Sequence, residues 1–175
     1  MVTQKSILVL FIMCFFFTSC FAEEESYTIV RADDRITFQM PEQDWRWEEV
    51  KLNQEGYRGY LLQTEKVPGM YALIMVFDNP TYALPDTDLL NDLSTDLMTE
   101  YPEYSLLDSP VFGNTSNLKE FAYSTWADTS GKTVHLTVAG SKKVLVYILI
   151  SYESLDQMKN YSSVMNHIAE TLTIL

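Results

Sequence analysis

The chain contains two histidines, His135 and His167, which are the natural candidates for acid/base work or metal ligation. His135 lies in an alternating segment on the face opposite Val134, Leu136 and Val138, and His167 adjoins Ile168 in an amphipathic stretch. A zinc-type centre needs three or four ligands at ordered spacing, and no His-x-x-x-His or His-Glu pair is present. The serines form no Gly-x-Ser-x-Gly elbow and no convincing Ser-x-x-Lys set, and no phosphate-cradling glycine loop occurs. The expectation is therefore no catalytic residue, no cofactor site and no metal site, with both histidines exposed or packed. A hydrolase built on His135 or His167 ranks last among the functional readings, because no nucleophile accompanies either one.

Two other groupings could act on a ligand or partner. Asp88, Asp92, Asp96 and Glu100 stand four residues apart, which stacks them along one side of a helix. They could hold a divalent cation or dock a basic partner. Asp86-Thr87-Asp88, however, lacks the glycine and terminal glutamate of a calcium loop, so a solvated helix face is the better reading. Trp45 and Trp47, with Tyr57, Tyr60, Tyr71 and Tyr82, make the N-terminal half rich in aromatics. Trp45, Trp47, Tyr57, Tyr60 and Tyr71 are the candidate interface or pocket; the competing reading is that they are core or sheet edge.

The elements that would position these residues centre on Val144 to Ser151. Its first seven residues are apolar, four of them β-branched, which predicts a strand covered on both faces. Ser154-Leu155-Asp156-Gln157 is a Ser-x-x-Gln capping box, opening a helix from Leu155 to about Leu172 with Leu155, Met158, Tyr161, Met165, Ile168 and Leu172 inward. Earlier strands are predicted at Tyr27 to Val30, Ile36 to Met40, Trp45 to Val50, Gly59 to Thr64 and Tyr71 to Phe77. Val67-Pro68-Gly69 supplies a turn between the last two. A helix runs from Pro85 to about Tyr101, with Leu89, Leu90, Leu93, Leu97 and Tyr101 as its apolar stripe. A meander follows: Tyr104 to Phe112 interrupted at Pro110, Leu118 to Thr129, a Ser130-Gly131 turn, and Lys132 to Ala139. The expected class is α+β, an antiparallel sheet flanked by helices as an α/β/α sandwich.

Residues 1–22 are expected to be an export signal, with Lys5 before an unbroken apolar run from Ile7 to Phe17, too short to span a membrane. Cleavage after Ala22 is one reading. The other takes Phe17-Thr18-Ser19-Cys20 as a lipobox, with Cys20 lipidated and Glu23-Glu24-Glu25 as a short tether. Residues 23–175 then form one domain with no thiol, since both cysteines, Cys14 and Cys20, lie in the leader. No transmembrane helix is expected in the mature chain. The charge is acidic, 24 Asp and Glu against 12 Lys and Arg. That balance excludes nucleic acid as a partner and disfavours direct docking on anionic lipid, so membrane contact is expected only through the lipid.

Ile36-Thr37-Phe38-Gln39-Met40-Pro41 followed by Trp45, the helix near Asp86, Lys142-Lys143-Val144 and Ile168-Ala169-Glu170-Thr171-Leu172 resemble the PsbP/Mog1-like family of α-β-α sandwich domains. The resemblance spans nearly the whole mature chain and is one of pattern. Asp44 departs from it, standing where such sequences commonly carry glycine before the tryptophan. The leader suits the bacterial exported lipoprotein branch, the DcrB-like proteins. The resemblance implies an accessory or interaction domain rather than an enzyme, with no cofactor and an envelope protein as partner. The alternative is an envelope protein that binds a small molecule or cation in an aromatic pocket. If Cys20 is lipidated, Cys20→Ala is expected to move the protein from the membrane to the soluble fraction, and unchanged fractionation would remove the lipobox reading.

Overall fold

The computed structural model describes residues 26–52, 56–78, 87–113, 120–141 and 143–175. The leader with Cys20, and also Tyr82, Pro85 and Asp86, lie outside the described residues. In chain order the strands are β1 (Tyr27–Arg31), β2 (Ile36–Pro41), β3 (Trp45–Val50), β4 (Arg58–Thr64) and β5 (Tyr71–Asp78). Helix α1 (Thr87–Glu100) follows, then β6 (Ser105–Gly113), β7 (Glu120–Ala127), β8 (Thr133–Gly140) and β9 (Val144–Tyr152). Helix α2 (Leu155–Glu170) and the short β10 (Thr173–Ile174) end the chain.

Two meanders build a seven-stranded sheet in the order β3-β4-β5-β9-β8-β7-β6. One runs inward from β3, the other inward from β6, and they meet where β5 pairs antiparallel with β9 from Tyr71↔Ser151 to Asp78↔Val144. β9 is thus the middle strand, as its apolar run predicts. Its side chains alternate between faces. Val146 and Ile148 (both 0% exposed), with Ile150 and Tyr152, point to the face closed by α2 and β2, whereas Tyr147 and Leu149 are half-buried near Leu89 of α1. The helices therefore lie on opposite faces, α1 over β6, β7 and β8, and α2 over β9 and β2.

β1 and β2 do not join this sheet, although the sequence suggests one continuous sheet. They form a three-stranded sheet, β1-β2-β10, that covers the α2 face with Val30, Ile36, Phe38 and Met40. Its third strand exists because α2 stops at Glu170 rather than at Leu172. Thr171 caps the helix by donating its N–H to His167 O, and Thr173 and Ile174 then pair with Thr37 and Ile36. At the other end Ser154 Oγ accepts from Gln157 N, and the Gln157 side chain accepts from Glu153 N, one residue earlier than a capping box requires. Leu155, expected inward, is 38% exposed, and Val164 takes its place among the buried residues of α2. Tyr101 likewise falls just beyond the end of α1 and is exposed. β6 carries two register shifts, between Leu106 and Asp108 and between Asp108 and Val111, so Pro110 sits at an irregularity on an edge strand, where proline is tolerated.

Asp33 ties the two sheets together. It lies in the β1–β2 turn, where Oδ1 accepts from the N–H groups of Arg35 and Ile36 and Oδ2 accepts from the Arg35 guanidinium and from the Tyr60 hydroxyl of β4 at 3.0 Å. Burial pushes the carboxyl up, but these hydrogen bonds outweigh it and hold Asp33 below its usual value. Burial, then Asp33, pushes the Tyr60 hydroxyl up to about 12.

Asp44 is the only non-glycine with positive φ among the described residues, at 63°. A glycine would adopt this left-handed turn without strain, and here the turn is made by an aspartate, a residue type that tolerates it. Asp44→Gly is expected to stabilise the protein by about 0.5–1 kcal/mol, read by chemical denaturation, and Asp44→Val to destabilise it. Asp33→Ala is expected to cost about 3 kcal/mol at neutral pH by stripping acceptors from buried donors. Because the Asp33 pKa is lowered, its contribution is present above the ordinary value of 3.8 and is lost as pH falls through the lowered one. The gap between wild type and variant should close only below about pH 4.

Candidate functional site

The aromatic residues singled out in the N-terminal half do not form one site. Trp45, Trp47 and Tyr60 share a face of β3 and β4, because Trp45 pairs with Thr64 and Trp47 with Leu62, four and two residues along β4 from Tyr60. Tyr60 is core at 1% exposure, Trp45 packs half-buried against the same core, and Trp47 meets the Tyr60 ring edge-on at 6.0 Å while remaining partly exposed. Tyr71 is exposed at the start of β5 on the opposite face from Ala72, Ile74 and Val76. Tyr57 stacks on Phe77, on that same opposite face, at 4.6 Å. The seven-stranded sheet separates the two groups.

A different set of rings does converge. Phe121 and Tyr123 are two residues apart on β7 and so share a face, with ring centroids 6.3 Å apart and planes 13° apart. The β7–β8 register sets Thr125 opposite His135 and Tyr123 opposite Thr137, so His135 is diagonal to Tyr123 and their rings lie 5.0 Å apart. With Asn166, Ala169 and Glu170 on the flank of α2, these residues line a cleft of about 290 Å³. It exists because α2 lies over β9 and β2, leaving the outer part of this sheet face open.

Thr125 Oγ1 is 3.0 Å from His135 Nδ1, which fixes the ring. Burial pushes the His135 pKa down to about 4, so the imidazole is neutral at physiological pH. Its hydrogen-bond partner is a hydroxyl rather than a carboxylate that would stabilise the charged form. His167 is placed differently. Its Nε2 is 3.0 Å from Gln39 Oε1 and its ring lies 4.0 Å from that of Tyr27, so it fastens α2 to the small sheet. The two histidines do not share a site.

Asp88, Asp92 and Asp96 are exposed along α1. Tyr147 beneath them is pushed up to about 12, first by burial, then by Tyr57, Asp92 and Asp96. Among the described residues no three His, Cys, Asp or Glu side chains converge as a metal site would require. The remaining surface of interest is the β6 edge, where Leu106, Leu107 and Val111 are 41–46% exposed and Tyr101 lies just before the strand at 46%.

The cleft was readable only in part. The Asp128–Lys132 turn, with Asp128 Oδ1 accepting from Ser130 N and Lys132 N and Gly131 at φ 89°, fixes the hairpin that aligns His135 with Thr125. That hairpin is predicted from Ser130-Gly131. What no local pattern supplies is the passage of α2 beside it.

No protein-family model matches the chain, and no curated protein matches it in sequence. Solved structures match it in shape. The solution structure of cyanobacterial PsbP (CyanoP) from Synechocystis has a TM-score of 0.66 at 12% identity, covering 90% of this chain and 98% of that one. LpqN, involved in cell envelope biogenesis of Mycobacterium tuberculosis, has a TM-score of 0.49 at 16% identity, covering 85% and 90%. At 12% identity the likeness to CyanoP is one of fold. The match to CyanoP over almost its whole length agrees with the element order, the central β9 and the helices on opposite faces. The chain has a PsbP-like α+β fold.

Proposed function

We propose that this is an exported, lipid-anchored accessory protein of the bacterial cell envelope that works by binding another envelope protein. The observation that carries this reading is the exposed apolar edge at β6. Leu106, Leu107 and Val111, with Tyr101 beside them, are more exposed than Trp47 on the opposite edge strand. Exposed leucines scattered singly need no explanation, but Leu106, paired with Trp126, and Val111, paired with Tyr123, leave both faces of this one edge apolar, so a partner that grips the edge from both sides would cover them. The two register shifts bend this edge away from flat strand pairing, so the contact is expected to run through side chains rather than by extension of the sheet.

The opposite edge is less suited to an apolar contact. On β3, Trp47 is flanked by Arg46, Glu48 and Glu49, all exposed, and its ring is engaged with Tyr60. The N-terminal aromatics therefore support the protein-binding reading less than β6 does. They support a pocket less still, because Tyr60 is filled core and Tyr57 and Tyr71 lie across the sheet.

A photo-crosslinker placed at Leu107 in the native envelope is expected to give one discrete, stoichiometric protein adduct. Leu106→Lys, probed with the same crosslinker, should abolish it, and Trp47→Ala should leave it unchanged. Loss on Trp47→Ala alone would move the surface to β3, and no adduct from either edge would overturn the protein-binding reading.

A further inference from the structure

The cleft between the β7–β8 hairpin and α2 is lined from β7, β8 and α2 and has a chemistry of its own. We propose that it is a binding site for a small, flat aromatic amine. Phe121 and Tyr123 present near-parallel rings, and the His135 ring continues the row at 5.0 Å from Tyr123. Three aromatic side chains in one wall favour a planar, aromatic occupant over an aliphatic one. A volume of about 290 Å³ suits one or two fused rings rather than an extended ligand.

The polar groups set the sign of charge. Thr125 Oγ1 takes His135 Nδ1, so Nε2 is the ring nitrogen left to face the cleft. Asn166 and the exposed carboxylate of Glu170 stand at the rim on α2, and among the described residues no lysine or arginine lines the cleft. The protein as a whole carries a formal charge of −12. An anionic ligand would meet Glu170 without a counter-charge, whereas an ammonium group beside the ring row would meet a carboxylate. Burial keeps the imidazole uncharged, so it does not repel that ammonium. Thr137 adds a buried hydroxyl on the sheet side.

The test uses tryptamine and indoleacetate, which share a ring system and differ in charge, titrated into isotope-labelled full-length protein and followed by amide resonances. Tryptamine is expected to shift Tyr123, Thr137 and Ala169 saturably, with a Kd of about 0.1–1 mM, and indoleacetate to bind about tenfold more weakly. Tyr123→Ala should abolish binding. Glu170→Gln, on the exposed side of a helix and so without consequence for folding, should shrink the preference for tryptamine to less than about threefold. Equal affinity for the two probes would overturn the amine specificity. Absence of saturable shifts at these residues, or full binding in Tyr123→Ala, would overturn the site itself. Neither result bears on the crosslink at β6.

Discussion

The pairing of β5 with β9 is the constraint on which the rest of the molecule depends. Each meander closes locally, strand to adjacent strand, but β5 and β9 are brought together only after α1 and three further strands have been laid down. Non-local pairing of this kind bears a loop-closure cost before any contact offsets it. The offset comes from burial. Ala72, Ile74 and Val76 of β5 and Val146 and Ile148 of β9 are all at 0% exposure, and they form one apolar floor beneath α2 and the small sheet. At about 25 cal/mol per Å² of apolar surface, such a floor is the largest favourable contribution available to a domain without disulfides.

That floor also decides where the cleft lies. α2 leaves β9 through a short turn capped by Ser154, so its start is fixed over the centre of the sheet. Its far end is fixed over the small sheet, because His167 reaches Gln39 and the Thr171 hydroxyl accepts from Gln39 N. A helix pinned at both ends cannot slide toward β7. The rings of Phe121, Tyr123 and His135 are thus left uncovered by the same contacts that close the core beside them.

These dependencies explain what the sequence reveals and what it withholds. β9 could be read directly, because a run of β-branched residues has few alternatives, and so could the Ser154 start of α2 and the Ser130-Gly131 turn. The antiparallel sandwich follows from those elements and their order. The separate small sheet could not be read, since the alternation of Ile36, Phe38 and Met40 is the same whichever sheet receives it, and its partner β10 is two residues long. Nor could the grouping of aromatics. Trp45, Tyr60 and Tyr71 are close in sequence but are assigned to core or to opposite faces by strand parity. Phe121 and His135 meet only through the hairpin register and the course of α2.

The state of His135 bears on whether the cleft binds or catalyses. A general base is effective when its pKa lies near the working pH, and a catalytic histidine is held there by a carboxylate that stabilises the imidazolium. His135 is held instead by the hydroxyl of Thr125, and burial lowers its pKa to about 4. It is a weak base at neutral pH, and it adds a neutral ring and one hydrogen-bonding nitrogen to the wall. Those properties suit the proposed binding of a ligand better than proton transfer. They are also tied to stability: between about pH 6.5 and 4 the unfolded chain takes up the proton that the folded imidazole refuses, so the fold loses stability as pH falls through that range. The environment that keeps His135 suited to stacking therefore makes it a burden to the fold in acid.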